Sequence, residues 1–187
     1  MADEIEAKIK VRDFRAILKA LRKAGAEFLG TAVETDQFFD TRGGDLRRRD
    51  CGLRLRTIRM LRRGAEPPPP GALLTYKGPK KRPRGLKIRR EVQTYVRDAG
   101  ILASIFEALG FVPTVMVRKR RRSFVLAKPG RCRVELDELP GLGRFVEVEG
   151  PSEKAVKEAC RALGLEGEPI TRSYVSMVAN IRVRAKD

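Results

Sequence analysis

The chain of 187 residues contains no histidine and no tryptophan. Histidine is the commonest general base of enzymes and the commonest protein ligand of transition metals. Without it, the metal chemistry open to the chain is that of carboxylates with a hard cation such as Mg²⁺ or Mn²⁺. A catalytic or metal site is therefore expected among the aspartates and glutamates.

Cysteines and long apolar runs are also scarce. The three cysteines, Cys51, Cys132 and Cys160, are scattered without a Cys-x-x-Cys pair, which argues against a zinc site and a disulfide framework. No apolar run approaches the roughly 18 residues of a membrane-spanning helix, and the N-terminus has no signal-peptide core. We therefore expect a soluble protein of the reducing cytoplasm, with no membrane partner.

Positive charge, in contrast, is abundant. The 41 lysines and arginines outnumber the 24 acidic residues and give a net charge of +17. This charge favours a polyanionic partner, whether a nucleotide, a polyphosphate or a nucleic acid. With 42% hydrophobic residues, a chain of this length can form one domain, residues 1–187, around a real core.

Two short strands carry paired glutamates on one face. In the first, Glu4, Glu6 and Lys8 alternate with apolar residues and therefore point to the same side. Near the other end of the chain, Glu147 and Glu149 repeat the pattern against valines. One such strand alone is typical of an ordinary amphipathic edge strand. The repetition, each time followed by a helix, indicates two related halves.

The alternation of charged and apolar residues recurs along the rest of the chain. It predicts further strands over residues 28–40, 53–58, 73–77, 86–96, 115–126 and 131–136. Apolar residues at helical spacing predict helices over residues 14–25, 101–109 and 155–164, which would cover the apolar side of the sheet. Another helix is predicted over residues 171–181, packed on the outside, although its β-branched residues leave a strand open. The sum is an α+β fold with about eight strands.

Closing these strands into an antiparallel barrel would turn their charged faces inward. An eight-stranded barrel has room for its own side chains or for one small ligand. A lumen lined by both signs of charge would suit an ion-rich guest, with carboxylates binding a divalent metal and arginines and lysines binding phosphate oxygens. The alternative is an open sheet whose charged face lies in water.

Several motifs resemble those of the CYTH family, the triphosphate tunnel metalloenzyme superfamily. This superfamily groups class IV (CyaB-type) adenylate cyclases with thiamine triphosphatases and inorganic triphosphatases. The resemblance rests on Glu4-Ile5-Glu6-Ala7-Lys8, Phe39-Asp40-Thr41, Leu53-Arg54-Leu55-Arg56, Tyr76-Lys77-Gly78-Pro79, Lys119-x-Arg121, residues 136–143 and Glu147-x-Glu149, and it runs from residue 3 to about residue 178. It implies an eight-stranded antiparallel β-barrel that forms a triphosphate tunnel, with helices packed outside.

The resemblance also implies roles for the charged residues. The implied metal ligands for Mg²⁺ or Mn²⁺ are Glu4, Glu6, Asp137, Glu147 and Glu149. The implied phosphate-binding residues are Lys8, Arg54, Arg56, Lys77, Lys119 and Arg121, to which the strand faces add Arg89 and Arg133, with Glu91 and Glu135 beside them. The expected catalytic residues are Glu4, Glu6, Lys8 and Glu147. The extra arginines at positions 118, 120 and 122 leave open which residues of that strand face inward.

The activity that the resemblance implies is that of a class IV adenylate cyclase, which converts ATP to cyclic AMP and pyrophosphate. A triphosphatase acting on tripolyphosphate or thiamine triphosphate is the first alternative, since water could attack in place of the ribose hydroxyl. The second is a noncatalytic binder of polyphosphate or RNA, suggested by the net charge and by the basic loop of residues 78–85. Nucleic acid is the less favoured partner, because only 6% of the residues are aromatic.

The sequence does not identify the residues that would recognise a base. Thr75 and Phe145 share the charged face of their strands and could contact one, although core packing is the simpler interpretation of Phe145. A homodimer remains open.

Overall fold

The computed structural model of the chain describes residues 3–64, 68–81, 86–128, 130–165 and 167–184. These residues form the strands β1 (Asp3–Val11), β2 (Glu27–Thr41), β3 (Gly52–Arg63), β4 (Ala72–Lys77), β5 (Lys87–Val96), β6 (Phe111–Leu126), β7 (Cys132–Leu139) and β8 (Gly143–Gly150). They also form the helices α1 (Arg15–Lys23), α2 (Asp45–Arg48), α3 (Ala99–Ala108), α4 (Glu153–Ala162) and α5 (Tyr174–Arg184). Every predicted strand and helix is present, and most strands are longer than predicted.

All eight strands join in one closed barrel. The order around the barrel is β1-β5-β4-β3-β2-β6-β7-β8, and each neighbouring pair is antiparallel. The predicted barrel is therefore confirmed, and the open-sheet alternative is wrong. Because successive side chains of a strand point to opposite faces, one row of each strand lies inside the barrel.

The strand β3 shows how the sequence pattern maps onto this barrel. Arg54 and Arg56 are buried on its inner side. Leu55, between them, is buried on the outer side in a cluster with Phe39 and with Phe106 of α3. The apolar outer face is kept from water by a helix, and the charged face is kept from water by closure of the barrel.

A larger core lies outside β1, β7 and β8. There α1 and α4 cover the strands, and the buried residues include Ile17 and Val156 from the helices and Val134, Val146 and Val148 from the strands. These valines alternate in sequence with inward-facing acidic residues. The strands that carry the paired glutamates are therefore fixed from behind by the largest apolar cluster.

The helix α5 does not lie where it was predicted. Its residues Tyr174 and Met177 are buried against Val117, Leu139 and Phe145, which belong to inward-facing rows near one end of the barrel. The prediction of a helix is confirmed, but its placement outside the barrel was wrong. The reason is that apolar residues occupy the inward rows at this end, and α5 removes them from water.

The short helix α2 follows Asp40 and Thr41, which belong to the sequence motif Phe39-Asp40-Thr41. The carboxylate of Asp40 accepts hydrogen bonds from the backbone amides of Leu46 and Arg47, at 2.9 and 3.0 Å. The hydroxyl of Thr41 donates to Asp45 at 2.5 Å. The motif thus has a structural role, because it holds α2 at the end of β2.

Part of the predicted basic loop, residues 82–85, lies outside the described residues. Before it, the Lys80 side chain contacts the Asp50 carboxylate, and Lys81 pairs with Ile88 in an isolated β-bridge. Across the described ranges, no helix has the length and apolar character needed to cross a membrane.

Candidate active site

The barrel encloses a cavity of 1340 Å³. Its wall includes β2 from Leu29 to Thr41, so the cavity follows nearly the whole of that strand. The strands contribute to its wall the charged residues Glu4, Glu6, Lys8, Glu34, Asp36, Asp40, Arg54, Arg56, Lys77, Lys87, Arg89, Glu91, Lys119, Arg121, Arg133, Glu135, Glu147 and Glu149. All the residues predicted to bind metal or phosphate lie on this wall except Asp137, and the two possible base contacts, Thr75 and Phe145, also lie off it.

The pairing of β1 with β8 joins the two glutamate patterns. Glu6 lies directly opposite Glu149, and Lys8 lies directly opposite Glu147. Side chains at paired positions of antiparallel strands have Cβ atoms about 5 Å apart. The two ends of the sequence therefore supply one wall of the cavity.

Two buried carboxylates of β2 are held by cations. Asp36 accepts hydrogen bonds from Arg56 at 2.5 and 2.8 Å, and Glu34 lies 2.9 Å from the same guanidinium. Burial alone would raise the pKa of both carboxyls, but nearby cations outweigh it. Led by Arg56, they lower the pKa of Glu34 to about 2 and hold the pKa of Asp36 well below its usual value. Both carboxylates are thus ionised and paired.

Arg121 is the centre of a second ion network. Its guanidinium donates to both oxygens of Asp137, at 2.7 and 2.5 Å, and to Glu147 at 2.5 Å. Lys119 also donates to Asp137, at 3.3 Å. Asp137 is fully buried and lies behind the cavity wall, where its oxygens orient these two cations. Its role as a metal ligand stays a prediction.

Lysines hold the glutamates of the first strand. Glu6 lies 2.5 Å from Lys87, and Lys8 lies 3.5 Å from Glu6 and 3.1 Å from Glu147. Lys87 was not predicted as a site residue, although it shares its face with the predicted Arg89. The alternation along β5 could have identified it.

Lys77 is shared between two glutamates. It is paired closely with Glu91 and lies 3.9 Å from Glu4. Burial and the neighbouring Arg54 lower the pKa of Lys77 to about 8. Glu4 is therefore held less closely by a cation than Glu6, the other glutamate of its strand.

Several charged groups on the wall have unused hydrogen-bonding capacity. The Nε atoms of Arg54 and Arg89 are buried without a hydrogen-bond partner among the described residues, and so is Oε2 of Glu4. Within the same part of the chain, Glu149 forms no salt bridge, and Arg133 is the cation whose charge lowers the pKa of Glu149. A buried charged group without a partner is costly. These donors and acceptors suit a guest that carries both anionic oxygens and a cation.

Negative charge is concentrated where β1 meets β8. Burial, together with the nearby carboxylates of Glu4 and Glu6, raises the pKa of Glu149 to about 7. Burial also raises the pKa values of Glu4 and Glu135. Crowded carboxylate oxygens are the ligands that a hard divalent cation prefers. Among the described residues, no three acidic or cysteine side chains already have the spacing of a metal centre.

We expect Glu149→Gln to stabilise the metal-free protein at pH 8. A carboxyl whose pKa is raised in the folded state loses stability as the pH rises from about 4.5 to about 7, and the loss is complete above that range. Glutamine cannot ionise, so the variant should gain about 2 kcal/mol, or roughly 4–8 °C in melting temperature. Thermal unfolding in EDTA at pH 8 measures this gain. At pH 4 the difference should shrink, and an equal or lower melting temperature at pH 8 would contradict the prediction.

Tyr174 also lies on the cavity wall, a position that the sequence did not predict. Its ring centroid lies 4.0 Å from Nζ of Lys8 and 5.2 Å from Nζ of Lys119, in cation–π geometry. Phe145 packs against it edge-on, with ring centroids 5.3 Å apart, which confirms core packing for Phe145. Thr75 is also off the cavity wall and accepts a hydrogen bond from Arg54 at 2.9 Å.

A comparison with known protein families matches residues 2–174 to the CYTH domain. The chain belongs to the CYTH domain family. A protein of Methanocaldococcus jannaschii, named "Putative adenylate cyclase MJ0240", is 30% identical over 146 residues, which cover 78% of this chain and 75% of that protein. The predicted family is therefore confirmed.

Two solved structures share the CYTH fold of this chain. The PH1819 protein of Pyrococcus horikoshii has a TM-score of 0.76 and 26% identity, with 96% of this chain and 99% of that chain covered. A protein of Hippeastrum has a TM-score of 0.70 and 18% identity, with 95% of each chain covered. It is described as an adenylyl cyclase candidate with a dominant triphosphatase activity. At that identity the likeness supports the fold alone.

Proposed function

We propose that this CYTH domain binds a triphosphate together with a divalent cation and catalyses attack on one of its phosphorus atoms. The observation that carries the proposal is the joint presence, in one cavity of the described residues, of guanidinium nitrogens without a hydrogen-bond partner and of carboxylates that have at most one distant cationic partner. Arg54 and Arg89 supply the former, and Glu4 and Glu149 supply the latter. A triphosphate carries about four negative charges, so its binding needs both kinds of group.

The acidic residues fit Mg²⁺ or Mn²⁺. Glu4, Glu6 and Glu149 offer oxygen ligands, one of which lacks a hydrogen-bond partner among the described residues. Burial, and after it neighbouring carboxylates, raise the pKa values of Glu4 and Glu149, and a bound cation would offset both effects. Glu147 lies beside them, although it is already held by Lys8 and Arg121. A bound cation at these glutamates would polarise the attacked phosphate and promote deprotonation of the nucleophile.

The cations of the wall would bind and orient the phosphates. Arg54 and Arg89 retain free donors, and Lys77, Lys119 and Arg121 lie within the same cavity. Because their networks fix these side chains before a ligand arrives, little reorganisation is needed as charge develops on the leaving group. The buried carboxylates of β2 and β7 keep Arg56, Lys119 and Arg121 in place.

The first form of the proposal is an adenylate cyclase. The ribose 3′-hydroxyl of ATP would attack the α-phosphorus, the bond to the β-phosphate oxygen would break, and cyclic AMP and pyrophosphate would form. A carboxylate of the wall would accept the hydroxyl proton, since the chain has no histidine. The name of the M. jannaschii relative supports this form.

The second form is a triphosphatase, in which water attacks the γ-phosphorus, the bond from that phosphorus to the bridging oxygen breaks, and orthophosphate and the corresponding diphosphate are released. The same metal and cation arrangement would serve this reaction, and such an activity is described for the Hippeastrum protein, which shares the fold. Tripolyphosphate and thiamine triphosphate are the candidate substrates besides ATP.

A noncatalytic polyanion binder is the alternative of another class. The register places Arg59 and Arg120 on either side of Val33, on the outer face of the barrel, with Arg118 exposed nearby. In the described ranges these three arginines have no ion pair with an acidic side chain. An exposed basic surface of this kind gives salt-sensitive binding to a phosphate backbone without any need for a metal.

Product analysis tests the proposal. The purified protein is incubated with ATP or with tripolyphosphate, each with Mg²⁺, Mn²⁺ or EDTA, and cyclic AMP, pyrophosphate and orthophosphate are quantified. Cyclic AMP with an equal amount of pyrophosphate supports the cyclase, whereas orthophosphate without cyclic AMP supports the triphosphatase. Absence of metal-dependent turnover with either compound would overturn the proposal in favour of the polyanion binder.

A further inference from the structure

The inward rows of four neighbouring strands change from charged to apolar towards one end of the barrel. Along β3 the order is Arg54, Arg56, Ile58, Met60, and along β4 it is Lys77, Thr75, Leu73. Along β5 the order is Arg89, Glu91, Gln93, Tyr95, and along β2 it is Asp36, Glu34, Ala32. The antiparallel register makes all four changes run in the same direction.

The apolar residues at this end occupy neighbouring positions on four adjacent strands. Leu73 lies directly opposite Tyr95, and Ala32 lies directly opposite Met60, while Ile58 stands between Arg56 and Met60 along β3. We name the surface formed by Ala32, Ile58, Met60, Leu73 and Tyr95 the apolar vestibule. All five residues line the same cavity as the charged rows.

The apolar vestibule is accessible and borders the phosphate-binding region. Ile58, Met60 and Leu73 are half-buried, and Tyr95 is 44% exposed. Leu73 also lies directly opposite Arg56, so the change from charged to apolar wall takes place between neighbouring side chains. A ligand with its phosphates among the arginines would therefore extend its remaining part onto this surface.

Polar residues complete the ring towards the same end. Arg133 and Glu149 are paired across β7 and β8, and Glu4 lies near the start of β1. All three line the cavity. This end thus offers an apolar side for a flat ring and a polar side for hydroxyl groups.

Inorganic triphosphate has no part that would gain from the apolar vestibule. Its oxygens are all charged or strongly polar, and contact with isoleucine, methionine and leucine would only remove water from them. An aromatic heterocycle, in contrast, buries a flat apolar face and stacks on a tyrosine ring. The wall of the cavity is therefore matched to a triphosphate that carries such a ring.

We propose that the apolar vestibule binds the aromatic heterocycle of an organic triphosphate and makes this CYTH domain prefer such a ligand over tripolyphosphate. The inference rests on the proposed function, because it assumes that the phosphates occupy the charged part of the cavity. It assigns base recognition to side chains of β2 to β5, whereas Thr75 and Phe145 lie off the cavity wall.

Binding measurements on matched variants test the inference. Tyr95→Ala and Leu73→Ala are compared with Tyr76→Ala and Leu61→Ala, which remove exposed side chains of the same types outside the cavity. Dissociation constants for ATP and for tripolyphosphate are determined by calorimetry with Mn²⁺. We expect each vestibule variant to weaken ATP binding about tenfold and to change tripolyphosphate binding less than twofold, since loss of a stacking partner affects only the ring. The two control variants should match the unmodified protein for both ligands.

The outcomes separate this inference from the function on which it rests. Equal weakening of both ligands, or unchanged ATP binding in both vestibule variants, would overturn the assignment of the ring site while leaving the triphosphate site intact. Failure of the unmodified protein to bind either ligand would overturn both. Melting temperatures of all four variants establish that a loss of binding does not come from unfolding.

Discussion

Glu4→Gln is expected to lower metal-dependent turnover by about 10²–10³-fold without a loss of stability. Among the described residues, one oxygen of Glu4 has no hydrogen-bond partner, and the single cation within salt-bridge distance, Lys77, lies 3.9 Å away. Burial raises the pKa of its carboxyl, so an uncharged amide of the same shape costs the folded protein little. We therefore expect the Glu4 carboxylate to contribute little to the stability of the fold and to act as a metal ligand.

Steady-state rates at saturating Mg²⁺ and melting temperatures in EDTA measure the two effects together. Glu138→Gln is the matched control, because Glu138 lies on the outer side of β7, where its ion pairs with Arg122 and Arg144 are 3.8 and 3.5 Å long. The control should retain its full rate. A Glu4→Gln variant with an unchanged rate would remove Glu4 from the metal site.

Arg121→Met is expected to have the largest effect on stability. Arg121 is hydrogen-bonded to Asp137 and Glu147, and Asp137 has no exposed surface from which water could compensate for the loss. Removing one partner of a buried ion pair costs about 3–5 kcal/mol. For a chain of this size, that corresponds to a fall of roughly 6 to 20 °C in melting temperature.

Urea unfolding of a set of variants tests whether the loss of stability comes from leaving the buried Asp137 carboxylate without its partner. The double variant Arg121→Met/Asp137→Asn removes both charges and should be more stable than Arg121→Met alone. Arg118→Met, on the exposed side of the same strand, should change the free energy of unfolding by less than about 0.5 kcal/mol. A cost below 1 kcal/mol for Arg121→Met would mean that Lys119 alone can compensate Asp137.

Strand faces were predictable where one row was clearly apolar. On β1, β3 and β8 the alternation is strict, and the predicted residues Glu6, Arg54 and Glu147 all line the cavity. The pattern alone left open whether the charged rows lie in water on an open sheet or inside a closed barrel. Closure of the barrel follows from the pattern together with the family resemblance.

The acidic residues of β2 were not found, for a physical reason. Its inward row mixes Ala32 and Phe38 with Glu34 and Asp36, and its pairing is interrupted by irregularities near Thr31 and Gln37. Neither face of the strand is uniformly polar, so the alternation of polar and apolar residues does not show which face points into the barrel. Only the register with β3 and β6, which places these carboxylates beside cations, reveals their role in fixing the cavity wall.

The sequence also left open which side chains of β6 point into the barrel. Lys119 and Arg121 alternate with Arg118 and Arg120, so both faces are basic. Structure resolves this by pairing: Lys119 lies opposite Glu34, and Arg121 lies opposite Asp137. The inward cations are those with buried carboxylate partners, and much of the net positive charge is left on the outside.

The position of Tyr174 required the tertiary structure. Its helix follows the last strand by more than twenty residues, and nothing in local spacing shows that it returns to the barrel. The return is fixed by apolar contacts of Tyr174 and Met177 and by the backbone hydrogen bond from Ile170 N to Lys8 O at 2.6 Å. Such long-range contacts leave no periodic signal in the sequence.

A crystal structure with Mn²⁺ and tripolyphosphate, with diffraction collected at the manganese absorption edge, tests the central claim most directly. We predict an anomalous peak within coordination distance of Glu4, Glu6 or Glu149, with phosphate oxygens contacting Arg54 and Arg89 inside the barrel. Phosphate bound only to the outer arginines, with no manganese in the cavity, would contradict the claim that the charged lumen is a metal-dependent triphosphate site.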